Sequence, residues 1–275
     1  MTDKKGGIEG LIRVLLADQW TWNVPLFVFF FALTGWYCFL LSGKRIHDLR
    51  KQMLCFLTGI WLLFFAIGSP LLAISHLSFS FHMIQMSIVF FIIPPLILFG
   101  IPEQLYSHLS HWPTIKRLRF MFPTPKTALL IFAMLFLLYH FPYLLQIITE
   151  YELFHKIYVI ILFLLAIRMW WPIATPDPEQ RLIGAKRKKY LLESSWYIMP
   201  ACLMFIISAW FEGMNNPFLD QTITHLCLPP DSTIDVLPPP FNTRYDQMIA
   251  GVAMMGLHKF SLFTTTKLKI TPEKD

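Results

Sequence analysis

The chain has 275 residues, 55% of them apolar and 15% charged, and its mean hydropathy is +0.53. Soluble domains carry nearer a quarter charged residues, so this composition excludes a soluble domain and reads as a polytopic membrane protein. The formal net charge of +6 is then a matter of which loops hold the basic residues, and it points to no nucleic-acid partner.

Residues 1–7 are polar. Ile8, Leu11, Ile12, Leu15 and Leu16 follow with helical spacing, and Trp20 and Trp22 stand at the edge of the first apolar run. This pattern predicts an N-terminal tail and a short amphipathic helix over 1–23, lying in the membrane interface and anchored by tryptophan. That first run has no small-residue cleavage site, so no removable signal peptide is expected. Cys38, Cys55, Cys202 and Cys227 form no CxxC or CxxxC pair, which argues against a disulfide framework or a thiolate metal site.

Seven apolar segments, at about 24–42, 53–72, 79–100, 127–147, 153–173, 191–212 and 246–266, are long enough to cross a bilayer at roughly 20 residues per crossing. The predicted fold is therefore all-α, a seven-helix membrane bundle over 24–266 with a cytoplasmic tail over 267–275. Lys and Arg fix its expected orientation. The successive loops and the tail carry 4, 0, 4, 0, 5, 1 and 3 of them, which puts the N-terminus outside and the C-terminus inside. The outer loop 213–245 contains Pro229-Pro230 and Pro238-Pro239-Pro240, which stiffen it into extended pieces, either as a cap or as a docking strap. No internal repeat of the transporter kind is visible.

With that topology the polar side chains form a pattern. In the third segment His82, Gln85 and Met86 are spaced i, i+3, i+4 and share one side of a helix, and nothing polar follows from Ile88 to Phe99. His76 precedes that segment at the outer surface. His140 lies about two turns inside the outer end of the fourth segment, with Pro142 after it. His155 opens the fifth segment, and Asp246 and Gln247 open the seventh. Ionisable groups at membrane depth are costly and face a partner or a cavity. Imidazole and thioether together suit a soft cation such as Cu(I). The candidate metal ligands are therefore His82, Met86, His140, His76, His155 and Met83, with Gln85, Asp246 and Gln247 in support. The competing structural reading is a packed polar patch with methionine as filler. His258 and Lys259 fall in the middle of the seventh segment. Retinal attachment at Lys259 fits poorly, because the third segment offers no carboxylate counter-ion. Arg168, Trp170 and Trp171 read as an interface anchor at the inner end of the fifth segment.

The third segment, with His82-Met83-x-Gln85, Pro94-Pro95 and Gly100-x-Pro102, resembles the CtaG family of cytochrome c oxidase assembly factors, the seven-span type found with caa(3)-type oxidases. His140-x-Pro142, His155, Trp171-Pro172 and Asp246-Gln247-x-x-x-Gly251 are similar to that family's pattern too, and the likeness runs over about 55–265. The chain departs from the pattern at Met86, where the family has a histidine after the glutamine. The resemblance implies a role in forming the metal centres of the oxidase, which are expected near the outer side, and with no nucleophile–base arrangement or phosphate loop in the sequence no enzymatic activity is expected. Copper delivery to an oxidase subunit is the favoured form of that role. It also implies a multi-pass protein of the cell membrane with the lipid bilayer as its solvent, and it leaves homo-oligomerisation open. Two other readings use the same residues: a bis-histidine haem protein carrying electrons through His82 and His140, or a metal-free chaperone of an oxidase subunit.

Overall fold

The computed structural model describes residues 22–42, 46–113, 117, 122–141, 144, 147–148, 151–211 and 239–267. The expected interfacial helix, most of the outer loop, Lys44, Lys116, Pro142 and the tail beyond Lys267 lie outside the described residues. Among those described, all regular structure is helical. The elements are α1 (Val24–Leu41), α2 (Ile46–Gly68), α3 (Leu71–Ser75), α4 (Phe79–Ser87), a π-helical turn (Ile88–Ile92), α5 (Ile93–Phe99), α6 (Glu103–Ser110), α7 (Pro125–Tyr139), α8 (Glu152–Ala174), α9 (Gly184–Phe211) and α10 (Arg244–Lys267).

The ends of these helices follow from local chemistry. α1 starts at Asn23, whose side chain accepts from the Leu26 amide at 3.0 Å, with Pro25 in the first turn. α7 starts the same way, with Thr124 accepting from the Thr127 amide at 3.3 Å and Pro125 as its first residue. It stops at His140, whose amide turns back to Leu137 O at 3.2 Å.

The third apolar segment is a single rod broken in the middle. Pro94 and Pro95 have no N–H and their rings crowd the carbonyls four residues earlier, those of Phe90 and Phe91. The chain widens into the π turn just before them, closed by the Ile93 amide on Ile88 O. Both freed carbonyls find donors on other helices. Trp170 Nε1–H on α8 donates to Phe90 O at 3.1 Å, and the Ser261 hydroxyl on α10 donates to Phe91 O. The rod is thus pinned between α8 and α10 by the bonds its own prolines released. Trp170, expected at the membrane interface, is instead 1% exposed in the core, because its indole N–H answers a carbonyl that would otherwise be stranded in apolar surroundings.

Around this rod, α4 and the π turn pack on α10, and α5 packs on α2 and α8. α7 packs on α8 and α9, and α9 on α10. Two glycines set the tightest approaches. A Cβ on Gly251 would stand 2.7 Å from Cys202 O, and one on Gly100 would stand 2.5 Å from Phe56 Cα, so α9–α10 and α2–α5 could not close with any larger residue. Tyr37 on α1 adds a hydroxyl bond to Gly100 O at 2.6 Å. Phe90, Phe91, Phe132 and Phe136 fill the centre at 0% exposure.

Among the described residues, five helices are long and apolar enough to cross a membrane: Val24–Leu41, Leu49–Gly68, Phe79–Phe99, Leu153–Ala174 and Gly184–Phe211. Two further segments expected to span fall short on one property each. α7 is apolar but has 15 residues, and α10 is 24 residues long but more polar. The polarity of α10 is directed inward. Asp246, Gln247, His258, Ser261 and Thr265 are buried, whereas Ile249, Val252, Phe260 and Phe263 are exposed. The outer surface elsewhere is equally apolar, with Phe29, Phe31, Trp36 and Phe39 of α1 all exposed. An apolar exterior of this extent, with the polar side chains of α10 turned inward, belongs in lipid, and the protein is a multi-pass membrane protein.

Candidate functional site

The site starts with the seating of α4. Asp246, the third residue of α10, is 1% exposed and its carboxylate sits at the N-terminus of α4. It accepts from the Phe79 amide at 2.9 Å, the Ser80 amide at 3.3 Å, the Ser78 hydroxyl at 2.9 Å and the Asn242 amide at 3.1 Å. A carboxylate from one helix therefore caps another, at the end where the helix dipole favours negative charge. Asn242 takes the left-handed conformation (φ 55°) that asparagine tolerates, and its side-chain amide donates to Leu77 O at 2.7 Å. These bonds fix the rotation and depth of α4, and with them the direction in which His82 points. Since four donors engage its oxygens, Asp246 serves by positioning α4 rather than by offering a free ligand.

His82 is 4% exposed, with Met83 and Met86 at 2% and 5% in the same core. The His82 ring lies 5.9 Å, centroid to centroid, from that of His76, the residue closing α3. On its other side it stacks at 6.3 Å on Tyr139, the last residue of α7. Tyr139 is wholly buried and joins the rest. Its ring stacks on His155 of α8 at 5.8 Å, its hydroxyl lies 2.8 Å from His155 Nε2, and the His140 ring meets it edge-on at 5.0 Å. His76, His82, His140 and His155, drawn from three separate stretches of chain, thus form one continuous cluster with Tyr139 at its centre. His82 also lies within electrostatic reach of the other three. Sequence reasoning placed the four histidines at one depth but missed Tyr139. Its signal was its position directly before His140, one turn beyond the Phe132/Phe136 stripe.

His140 carries the most specific chemical statement. Its Nδ1 is 2.6 Å from Phe136 O, and a carbonyl can only accept, so Nδ1 bears the proton. In the neutral ring the lone pair is then on Nε2, which is buried and has no hydrogen-bond partner among the described residues. A backbone carbonyl fixing one ring nitrogen while the other is left open is the arrangement of a metal-ligating histidine. His76, outside the spanning segments, has its pKa lowered to about 4 by burial and by His155 beside it. It is therefore neutral near pH 7, the form in which imidazole binds metal.

Other expected residues go elsewhere. Gln85 turns to α2 and donates to Ala66 O at 2.6 Å, away from the histidines. Gln247 is buried on α10 one residue past Asp246. Among the described residues no three His, Cys, Asp or Glu side chains already stand close enough together to hold a metal ion. A second buried polar group lies deeper: the His258 ring packs at 4.8 Å on Phe91 and its Nε2 is 3.3 Å from the Ser194 hydroxyl. It fills the space beside the π turn.

A family model described as cytochrome c oxidase caa3 assembly factor (Caa3_CtaG) matches residues 35–266. No curated protein and no solved structure matches the chain.

Proposed function

Because this chain belongs to the cytochrome c oxidase caa3 assembly factor family, we propose that it binds Cu(I) among its outer-end histidines and passes it to a subunit of the oxidase during assembly. The protein crosses the membrane seven times, with the N-terminus outside and the C-terminus inside. α7 and α10 are counted as spans because both turn apolar side chains outward and pack their buried faces on the bundle. The basic residues of loops 43–52, 101–126 and 174–190 then face the cytoplasm.

His82, His140 and Met86 are the principal ligands, with His76, His155 and Met83 able to exchange into the set. The observation that carries this reading is the open, buried Nε2 of His140, held by the bond of its other nitrogen to Phe136 O. An uncharged imidazole–thioether set suits Cu(I), which prefers soft ligands and low coordination numbers. Two or three such ligands hold the metal less firmly than a closed four-ligand cage, so transfer to a stronger site remains downhill. The cluster lies at the end of the bundle where an oxidase subunit exposes its own metal centres to the outer side.

The test is made in cells lacking the protein. Delivery predicts oxidase polypeptides deficient in copper, with activity partly restored by added copper through mass action. A His82→Ala/His140→Ala double variant, present in the membrane at normal amounts, is expected to behave like the deletion. Full oxidase activity in that variant would remove delivery from consideration.

A further inference from the structure

At the end of the bundle away from the histidines there is a cavity of about 220 Å³, lined among others by Gln52, Phe99, Glu103, Gln104, Pro176 and Arg181. It opens where α5 ends, where α2 begins, at the first turn of α6 and along the segment leaving α8. From His82 to Phe99 the third segment rises about 25 Å at roughly 1.5 Å per residue. The cavity and the histidine cluster are therefore on opposite sides of the membrane, and nothing that follows depends on copper.

Arg181 is the group that gives the cavity its character. One terminal nitrogen donates to Thr175 O at 2.7 Å, which fixes the guanidinium at the wall. Its Nε–H is buried and has no partner among the described residues. Burial, and secondarily Arg187, lower its pKa below the usual 12.5, with Glu103 acting in the opposite sense. The guanidinium is thus held in place, and Glu103, which lines the same cavity, is within its electrostatic reach. Asp177, four residues before Arg181, is already engaged: its carboxylate accepts from the Glu179 amide at 3.0 Å and from the Gln180 side chain. Basic residues dominate the sequence on either side, with Arg50 and Lys51 on α2 and Lys186, Arg187, Lys188 and Lys189 on α9. Gln52 and Gln104 bring side-chain amides, and the first amides of α6 have no acceptor within their own helix.

We infer that this cavity binds a phosphate group, held by the charge of the Arg181 guanidinium and the amide donors of Gln52 and Gln104. Phosphate supplies more acceptor oxygens than a carboxylate and matches the planar fork of arginine. The cavity floor at Phe99 and Pro176 is apolar, and the mouth lies at headgroup level on the basic side of the membrane. The phosphate therefore comes either from an anionic phospholipid or from free phosphate.

The experiment follows thermal unfolding of the delipidated protein in detergent, titrated separately with phosphatidylglycerol, phosphatidylcholine and inorganic phosphate. Binding raises the unfolding midpoint in a concentration-dependent way. A shift with phosphatidylglycerol that inorganic phosphate does not reproduce assigns the site to the lipid headgroup, and an equal shift with inorganic phosphate assigns it to the free ion. Arg181→Gln is expected to reduce apparent affinity at least tenfold. So is Gln104→Phe, which fills the cavity from an exposed position and leaves every charge in place. Lys188→Gln, which removes a neighbouring exposed charge, is expected to change it less than twofold. The inference is overturned by an undiminished shift in Gln104→Phe, by equal losses in Arg181→Gln and Lys188→Gln, or by the absence of a shift with every ligand.

Discussion

The frame of the third segment and the histidine cluster beside it make opposite use of polar groups. At the π turn every released carbonyl is answered: Phe90 O by Trp170 and Phe91 O by Ser261. At the N-terminus of α4 the cap is equally complete, with amide and hydroxyl donors converging on Asp246. Between them, at the depth of His82, the cluster keeps a buried nitrogen open at His140. Buried polar groups that only hold a fold together are satisfied, because each unmet one costs on the order of 1–3 kcal/mol. The Gln85 side-chain oxygen and the Ser87 hydroxyl are also buried without a partner among the described residues, and His140 differs from them in offering an imidazole lone pair.

That contrast can be broken at three places. The largest effect is expected at the frame. Asp246→Ala leaves three amides and a hydroxyl without their acceptor and removes the favourable charge at the α4 terminus, a loss of about 3 kcal/mol or more. Thermal melting in detergent is expected to show a clear drop, with Asp246→Asn retaining part of the stability. A melt unchanged from wild type would show that α4 is seated by other means. Next comes Trp170→Phe, which keeps the ring but strands Phe90 O, at about 2 kcal/mol. Parallel amide-exchange measurements are expected to show faster exchange on either side of the π turn.

The smallest effect on stability is expected at the open nitrogen itself. His140→Leu removes the open buried lone pair but also the Nδ1–H bond to Phe136 O, so a loss of about 1 kcal/mol is expected. Cu(I) affinity, measured by competition with a chromogenic chelator, is expected to fall at least about tenfold. Such a separation of binding from stability would sharpen the comparison. A large destabilisation with unchanged copper affinity would reverse the roles assigned to the two regions.

The sequence by itself determined the membrane class, because 15% charge and long apolar runs leave no soluble alternative. It also determined the places of the main helices and the likeness to an oxidase assembly family, which the family model over 35–266 bears out. It gave the common depth of the histidines, since residue count along a helix measures depth at a fixed rise. Which neighbour each side chain meets was decided only by the tertiary structure, because periodicity specifies a face and not what lies opposite. Gln85, one helical step from His82, faces α2. Asp246, read from the sequence as a supporting residue, is a helix cap. Trp170 looked like an interface anchor and closes a carbonyl freed by a proline on another segment. Tyr139 carried no signature of its own, yet it touches three of the four histidines. In each case the deciding term is a buried hydrogen bond or ring contact between residues far apart in the chain, and such pairings come into being only when the helices pack.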